Sequence, residues 1–170
     1  MAMPVANAHE VLPKLWLGNR SAALNQQWLQ EKQINAVFNC TKDIPFAAGP
    51  RRMYRIPVDD SLQDEDIRNL ELWSWEAIFK LTKELQEGNR VLVHCAAGMQ
   101  RSAAVVAMFC ISQFRCTADE AINYTKSKRP VAFLGNANFY RSIEGFQESF
   151  FKFIQERNLY AQMPKRPLPM

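Results

Sequence analysis

One stretch limits what this chain can fold into: Val91-Leu92-Val93-His94-Cys95-Ala96-Ala97-Gly98-Met99-Gln100-Arg101-Ser102-Ala103-Ala104. Its opening apolar run suits a strand buried on both faces, which belongs in a parallel sheet covered by helices. Its close is Ala-rich and reads as a helix beginning at Arg101 or Ser102. A loop that carries the chain from a strand end into a helix N-terminus points several backbone N–H groups at one spot, backed by the helix dipole. That is the geometry of an anion site, and the loop contains nothing acidic to oppose it.

The rest of the chain alternates short apolar runs with segments of helical period, the pattern of a single α/β domain. Strands are expected at residues 11–17, 36–40, 53–58 and 91–94, and helices at 21–32, 64–87, 102–114, 118–127 and 136–156. Ser21 is the expected N-cap of the first helix, and Thr117 with Glu120 forms a capping box before residue 118. Phe139, Phe146, Phe150 and Phe153 recur at helical spacing and read as a core stripe, as do the aromatics of residues 72–81.

Composition excludes several classes. A chain of 170 residues, 48% hydrophobic and 22% charged, builds one sizeable core and is neither disordered nor low in complexity. The body is placed at residues 9–160, with short tails at 1–8 and 161–170. The longest apolar run, residues 103–111, is about half of the ~20 residues a bilayer requires. No charged segment followed by a long apolar one opens the chain, so neither membrane insertion nor secretion is expected. Cys40, Cys95, Cys110 and Cys116 make no C-x-x-C pair and are too few for a disulfide framework. Reduced thiols and a cytoplasmic location are expected, with the nucleus also open. A net charge of +4 favours anionic partners weakly and does not argue for nucleic acid. No pattern specifies an oligomeric state.

The loop also carries chemistry. Gly98 allows the positive φ that a tight curl needs. Arg101, six residues after Cys95, closes the ring with a fork of donors that pairs two oxygens of a phosphate. The backbone of Ala96, Ala97, Gly98, Met99 and Gln100 supplies the remaining binding groups. A helix N-terminus and a nearby cation lower cysteine pKa values to roughly 3.5–7.5, so Cys95 is expected to be a thiolate aimed at the bound anion. In-line attack on phosphorus then gives a cysteinyl phosphate. The leaving oxygen needs a proton, and Asp59 and Asp60 follow a strand whose C-terminal end shares the loop's edge of the sheet. Ser102 can ease departure of the sulfur in the second step. His94 reads as an orienter of the loop, and Asn136 either as a hydrogen-bonding partner of the loop or as a helix cap. His9 reads as a surface histidine, the other three cysteines as core, and the clusters Arg51, Arg52, Arg55 and Lys126, Lys128, Arg129 as solvated faces.

His94, Cys95, Gly98, Arg101 and Ser102 together meet the signature His-Cys-x-x-Gly-x-x-Arg-Ser, and here the chain resembles the cysteine-dependent dual-specificity protein phosphatases of the poxvirus VH1-like group. The resemblance extends to Leu15-Trp16-Leu17-Gly18-Asn19, to residues 35–41, to Tyr54-Arg55-Ile56-Pro57-Val58-Asp59-Asp60, and to Arg129-Pro130 with Asn136 and Phe139. It implies about five strands flanked by helices, no metal or cofactor, and Asp60 rather than Asp59 as the general acid. It also implies phosphorylated proteins as partners, carrying phosphotyrosine and phosphoserine or phosphothreonine. Ala103 stands where the family usually has Gly, and Trp16 where it usually has Tyr. Two other functions remain open: a phosphatase for an RNA 5′-triphosphate or a phosphoinositide, and a catalytically silent phosphate-binding module. The neutral side chains of Ala96, Ala97, Met99 and Gln100 favour a single phosphate on a protein over a multiply charged ester.

Overall fold

β5 (Val91–His94) runs through the middle of the sheet with every residue buried. The computed structural model describes residues 6–170. β5 lies parallel to β2 (Leu15–Gly18) on one side and to β3 (Ala36–Asn39) on the other. β4 (Arg52–Arg55) extends the sheet in parallel beyond β3, and β1 (Ala8–Leu12) closes the far edge antiparallel to β2, giving the order β1-β2-β5-β3-β4. The single α/β domain read from the residues is therefore present, with the five strands that the resemblance implies. Central position explains the unbroken apolar character of β5, because neither face meets water.

The remaining elements are α1 (Arg20–Ala23), α2 (Gln26–Glu31), α3 (Asp64–Gln86), α4 (Arg101–Phe114), α5 (Ala118–Lys128) and α6 (Tyr140–Glu156). α4 leaves the loop after β5 and is buried continuously from Ser102 to Ser112, with α3, α5 and α6 packed around it. Each Val, Ile or Phe it removes from water contributes about 1.5–3 kcal/mol, which holds the helix N-terminus rigidly behind the loop. The capping box at α5 forms as expected, with the Thr117 hydroxyl accepting from Glu120 N at 3.2 Å. No helix among the described residues is long and apolar enough to cross a membrane.

Several boundaries differ from the sequence reading, each for a local reason. The single strand expected at residues 11–17 is a hairpin. Pro13 lacks the N–H a ladder needs, Lys14 takes φ 67°, and Leu12 pairs with Leu15 across the turn. The helix expected at residues 21–32 is two short helices, because two asparagines outcompete Ser21 as caps. Asn19 Oδ1 accepts from Ala22 N and Asn25 Oδ1 from Trp28 N, both at 3.0 Å. In α3 the core face is Leu70, Ala77, Ile78 and Leu81, whereas Leu72 and Phe79 are exposed and Trp75 is partly so. Leu72 and Phe79 turn away from the core, whereas the Trp75 ring packs against Phe146, Phe150 and Phe153 of the last helix, so only part of that expected stripe is core. α6 begins at Tyr140 rather than Asn136, since residues 136 and 138 commit backbone groups to Gln100. Residues 163–168 do not trail away: Arg166 N and its guanidinium bond the carbonyls of Phe114 and Gln113 at the end of α4.

Candidate active site

The loop between β5 and α4 turns all its carbonyls to partners outside the ring. His94 Nδ1 donates to Cys95 O at 3.2 Å, Arg20 N to Ala96 O at 2.9 Å, and Phe133 N to Met99 O at 2.8 Å. Arg129 takes Ala97 O and Gly98 O with its Nη2 and Nε, and Ala104 N takes Gln100 O within the helix. A peptide whose C=O points outward points its N–H inward, so the bonding outside the loop creates the donor ring inside it. Gly98 is required twice over. Its φ is +66°, and a Cβ there would clash with the carbonyl oxygen of Gly18.

Cys95 Sγ sits 3.1 Å from Ser102 Oγ at the floor of a cleft of about 490 Å³. Burial alone would push its thiol up. The Ser102 hydroxyl and backbone N–H, the Arg101 guanidinium and the Gly98 N–H outweigh that burial and hold the thiol below its ordinary range. Cys40, one position beyond the Asn39–His94 pair, is pushed well up by burial, with the Cys95 charge adding to it. His94 is buried and lowered to about 4, first by burial and then by the Arg55 and Arg101 charges, against the bond to Cys95 O. It is neutral at pH 7 and orients the loop by donating through Nδ1. Arg101 Nη1 donates to Val58 O at 2.9 Å, while its Nε is buried without a partner among the described residues.

A depressed thiol has a defined pH signature. The thiolate is favoured only in the folded chain, so its contribution to stability is full above the unfolded thiol range and fades as pH falls through the folded midpoint. Alkylation of Cys95 by iodoacetamide should therefore reach half its maximal rate below the ordinary ~8.5. Ser102→Ala removes a hydrogen bond to a charged group, which at about 1.5–3 kcal/mol should move that midpoint up by about one to two pH units. Measuring rate against pH for both proteins checks this; a wild-type midpoint in the ordinary thiol range contradicts it.

Asp60 lines the cleft together with Cys95, Arg101 and the loop residues Ala96, Ala97, Met99 and Gln100. Asp59 instead pairs with Lys42 at 2.9 Å on the surface. One side chain gains a role the sequence did not assign, and one expected role changes. The Gln100 side chain serves the neighbouring segment rather than the anion ring, donating to Asn136 O and accepting from Asn138 N. Asn136 lies at the cleft but neither caps α6 nor bonds the loop backbone through its side chain; it meets Gln100 through its own carbonyl.

Arg129, read from sequence as part of a solvated face, is only 1% exposed. Besides the two loop carbonyls it donates to Ala6 O and to His9 Nδ1, both at 2.9 Å. His9 is thus a half-buried acceptor, lowered first by burial and then by the Arg129 charge. The sequence signal for Arg129 was its place before Pro130, already part of the resemblance. Asn138, whose Nδ2 donates to Asp60 Oδ1 at 3.3 Å, carried no local signal at all.

Comparison with known proteins agrees with this geometry. Residues 15–149 match the family described as dual specificity phosphatase, catalytic domain. The Xenopus laevis protein phosphatase Slingshot homolog is 30% identical over 138 residues, covering 81% of this chain and 19% of that protein. Human dual specificity protein phosphatase 2 is 37% identical over 123 residues, covering 72% of this chain and 38% of that one. The chain thus spans well under half the length of these relatives. The crystal structure of human DUSP28 superimposes with a TM-score of 0.75 at 26% identity, covering 88% of this chain and 99% of that one. From the loop signature, the five-stranded sheet and the match over residues 15–149, the chain belongs to the dual specificity phosphatase catalytic-domain family.

Proposed function

We propose that the chain is a protein phosphatase that hydrolyses phosphotyrosine and phosphoserine or phosphothreonine through a cysteinyl phosphate. The observation that carries this is one cleft bringing together the depressed Cys95 thiol, the Ser102 hydroxyl 3.1 Å from its sulfur, Arg101 and Asp60. The inward N–H groups and Arg101 hold the three non-bridging oxygens as charge develops on them. Cys95 Sγ attacks phosphorus in line, the bond from phosphorus to the ester oxygen breaks, and Asp60 gives its proton to that oxygen. Water then attacks the phosphocysteine while the Asp60 carboxylate takes a proton from it. The sulfur leaves as a thiolate stabilised by the Ser102 hydroxyl. Each turnover regenerates both groups and consumes one water.

The reading requires Cys95 to be reduced, which fits the four free thiols and a reducing compartment such as the cytoplasm. Around the sulfur the loop side chains are neutral, and Met99 and Leu134 add apolar surface to the cleft, which favours a phosphorylated side chain over a polyphosphate. The test is turnover, with chelator present, of phosphotyrosine and phosphothreonine peptides beside a phosphoinositide and a 5′-triphosphate RNA. Both peptides should be hydrolysed faster than the lipid or the RNA. Binding of the peptides without turnover, or turnover of the lipid or RNA alone, would overturn the proposal.

A further inference from the structure

The segment that carries Asp60 has no regular secondary structure, yet its backbone is pinned on both sides of the acid. Val58 O accepts from Arg101 Nη1, and Ser61 N donates to Asp66 Oδ2 at 3.1 Å, Asp66 lying in the first turn of α3. These ties fix where the Asp60 backbone lies and leave its carboxyl free to turn. Among the described residues, the one side chain that hydrogen-bonds that carboxyl is Asn138, through Nδ2 to Oδ1. Asn138 is fixed in turn by the loop that binds the phosphate. Gln100, 8% exposed at the loop's end, grips the segment at two points: Nε2 donates to Asn136 O at 2.7 Å, and Oε1 accepts from Asn138 N at 3.0 Å. A single amide therefore sets the distance between the anion ring and the residue that aims the acid.

We propose that Asn138, held by Gln100, is a positioning residue that orients the Asp60 carboxyl so that Oδ2 carries the proton to the leaving oxygen. The chemistry follows from hydrogen-bond inventory. The Asn138 amide N–H is a donor only, so the oxygen it meets must accept. Oδ1 is thereby kept as the carbonyl-type oxygen, and the acidic proton resides on Oδ2. In the second step the same arrangement leaves Oδ2 to receive the proton of water. The dyad Gln100–Asn138 thus couples loop geometry to proton transfer without touching substrate, and it rests on the assignment of Asp60 as the acid.

Leaving-group dependence tests it, because an ester with a poor leaving group needs the proton and one with a good leaving group needs it far less. Asn138→Ala should lower kcat/KM on phenyl phosphate about tenfold more than on p-nitrophenyl phosphate, part of the 10²-fold or more that a general acid supplies. Gln100→Ala should show the same selectivity. In an Asp60→Asn background, Asn138→Ala should cost nothing further on phenyl phosphate, since its effect passes through Asp60. Equal losses on the two esters, or a loss that adds in full to that of Asp60→Asn, would overturn the inference. If Asp60→Asn itself loses no more on phenyl phosphate than on p-nitrophenyl phosphate, the acid assignment falls, and this inference with it.

Discussion

Cys95→Ser should lower turnover of every phosphate monoester by about 10⁴-fold or more, the scale of losing a covalent nucleophile, while binding of those esters should survive. The two halves of that outcome have separate physical origins. Chemistry needs the thiolate, and a serine hydroxyl is not ionised near neutral pH by the groups that depress a thiol. Binding needs the inward N–H groups and Arg101, and these are set by His94, Arg20, Arg129 and Phe133 acting on the outer carbonyls. None of them contacts the sulfur through a bond that the substitution removes. Steady-state rates on p-nitrophenyl phosphate, with calorimetry of a phosphopeptide bound to the variant, measure both. Residual turnover within tenfold of wild type would mean that another group attacks phosphorus.

Arg101→Lys retains a positive charge, yet turnover should still fall by about 10²–10³-fold, the loss typical of removing a fixed donor to a developing oxyanion. The guanidinium spends Nη1 on Val58 O at 2.9 Å, which sets its direction, and its buried Nε has no partner among the described residues. A planar fork offers donors to two phosphate oxygens at once, whereas an ammonium offers a point charge on a flexible stem. The expected signature is a fall in kcat larger than the rise in KM, with near-neutral alkylation of Cys95 changed little because the charge near the sulfur persists. Wild-type kcat in the lysine variant would show that charge alone suffices. Loss of the tie to Val58, which precedes the acid segment, adds to the effect.

The catalytic loop was legible because its demands are local. A buried strand, a cysteine at its end, a glycine at positive φ and an arginine six residues on all lie within one stretch, and the fold follows from covering that strand with helices. The hairpin at Pro13 was marked in the sequence by a proline that cannot sit inside a ladder, but the apolar run around it reads as one strand. Asn19 and Asn25 were present as caps, yet Ser21 gave an equally good local pattern. What the sequence could not give was contact across long separations. Arg129 reaches back to residues 97 and 98 and on to His9, and its neighbours Lys126 and Lys128 make it look solvated. Gln100 and Asn138 are ordinary polar residues until the fold brings residue 138 against residues 100 and 60. The exposed Leu72 and Phe79 show the same limit from the other side, since spacing defines a helix face without saying which face the core takes.

The proposed reaction passes through a phosphorylated Cys95. Wild-type protein mixed with a phosphotyrosine peptide and quenched in acid within milliseconds should yield a peptide containing Cys95 that carries one phosphoryl group, and Cys95→Ser should yield none. Steady turnover with no phosphorylated Cys95 at any quench time, or with the phosphoryl group on another residue, would contradict the account.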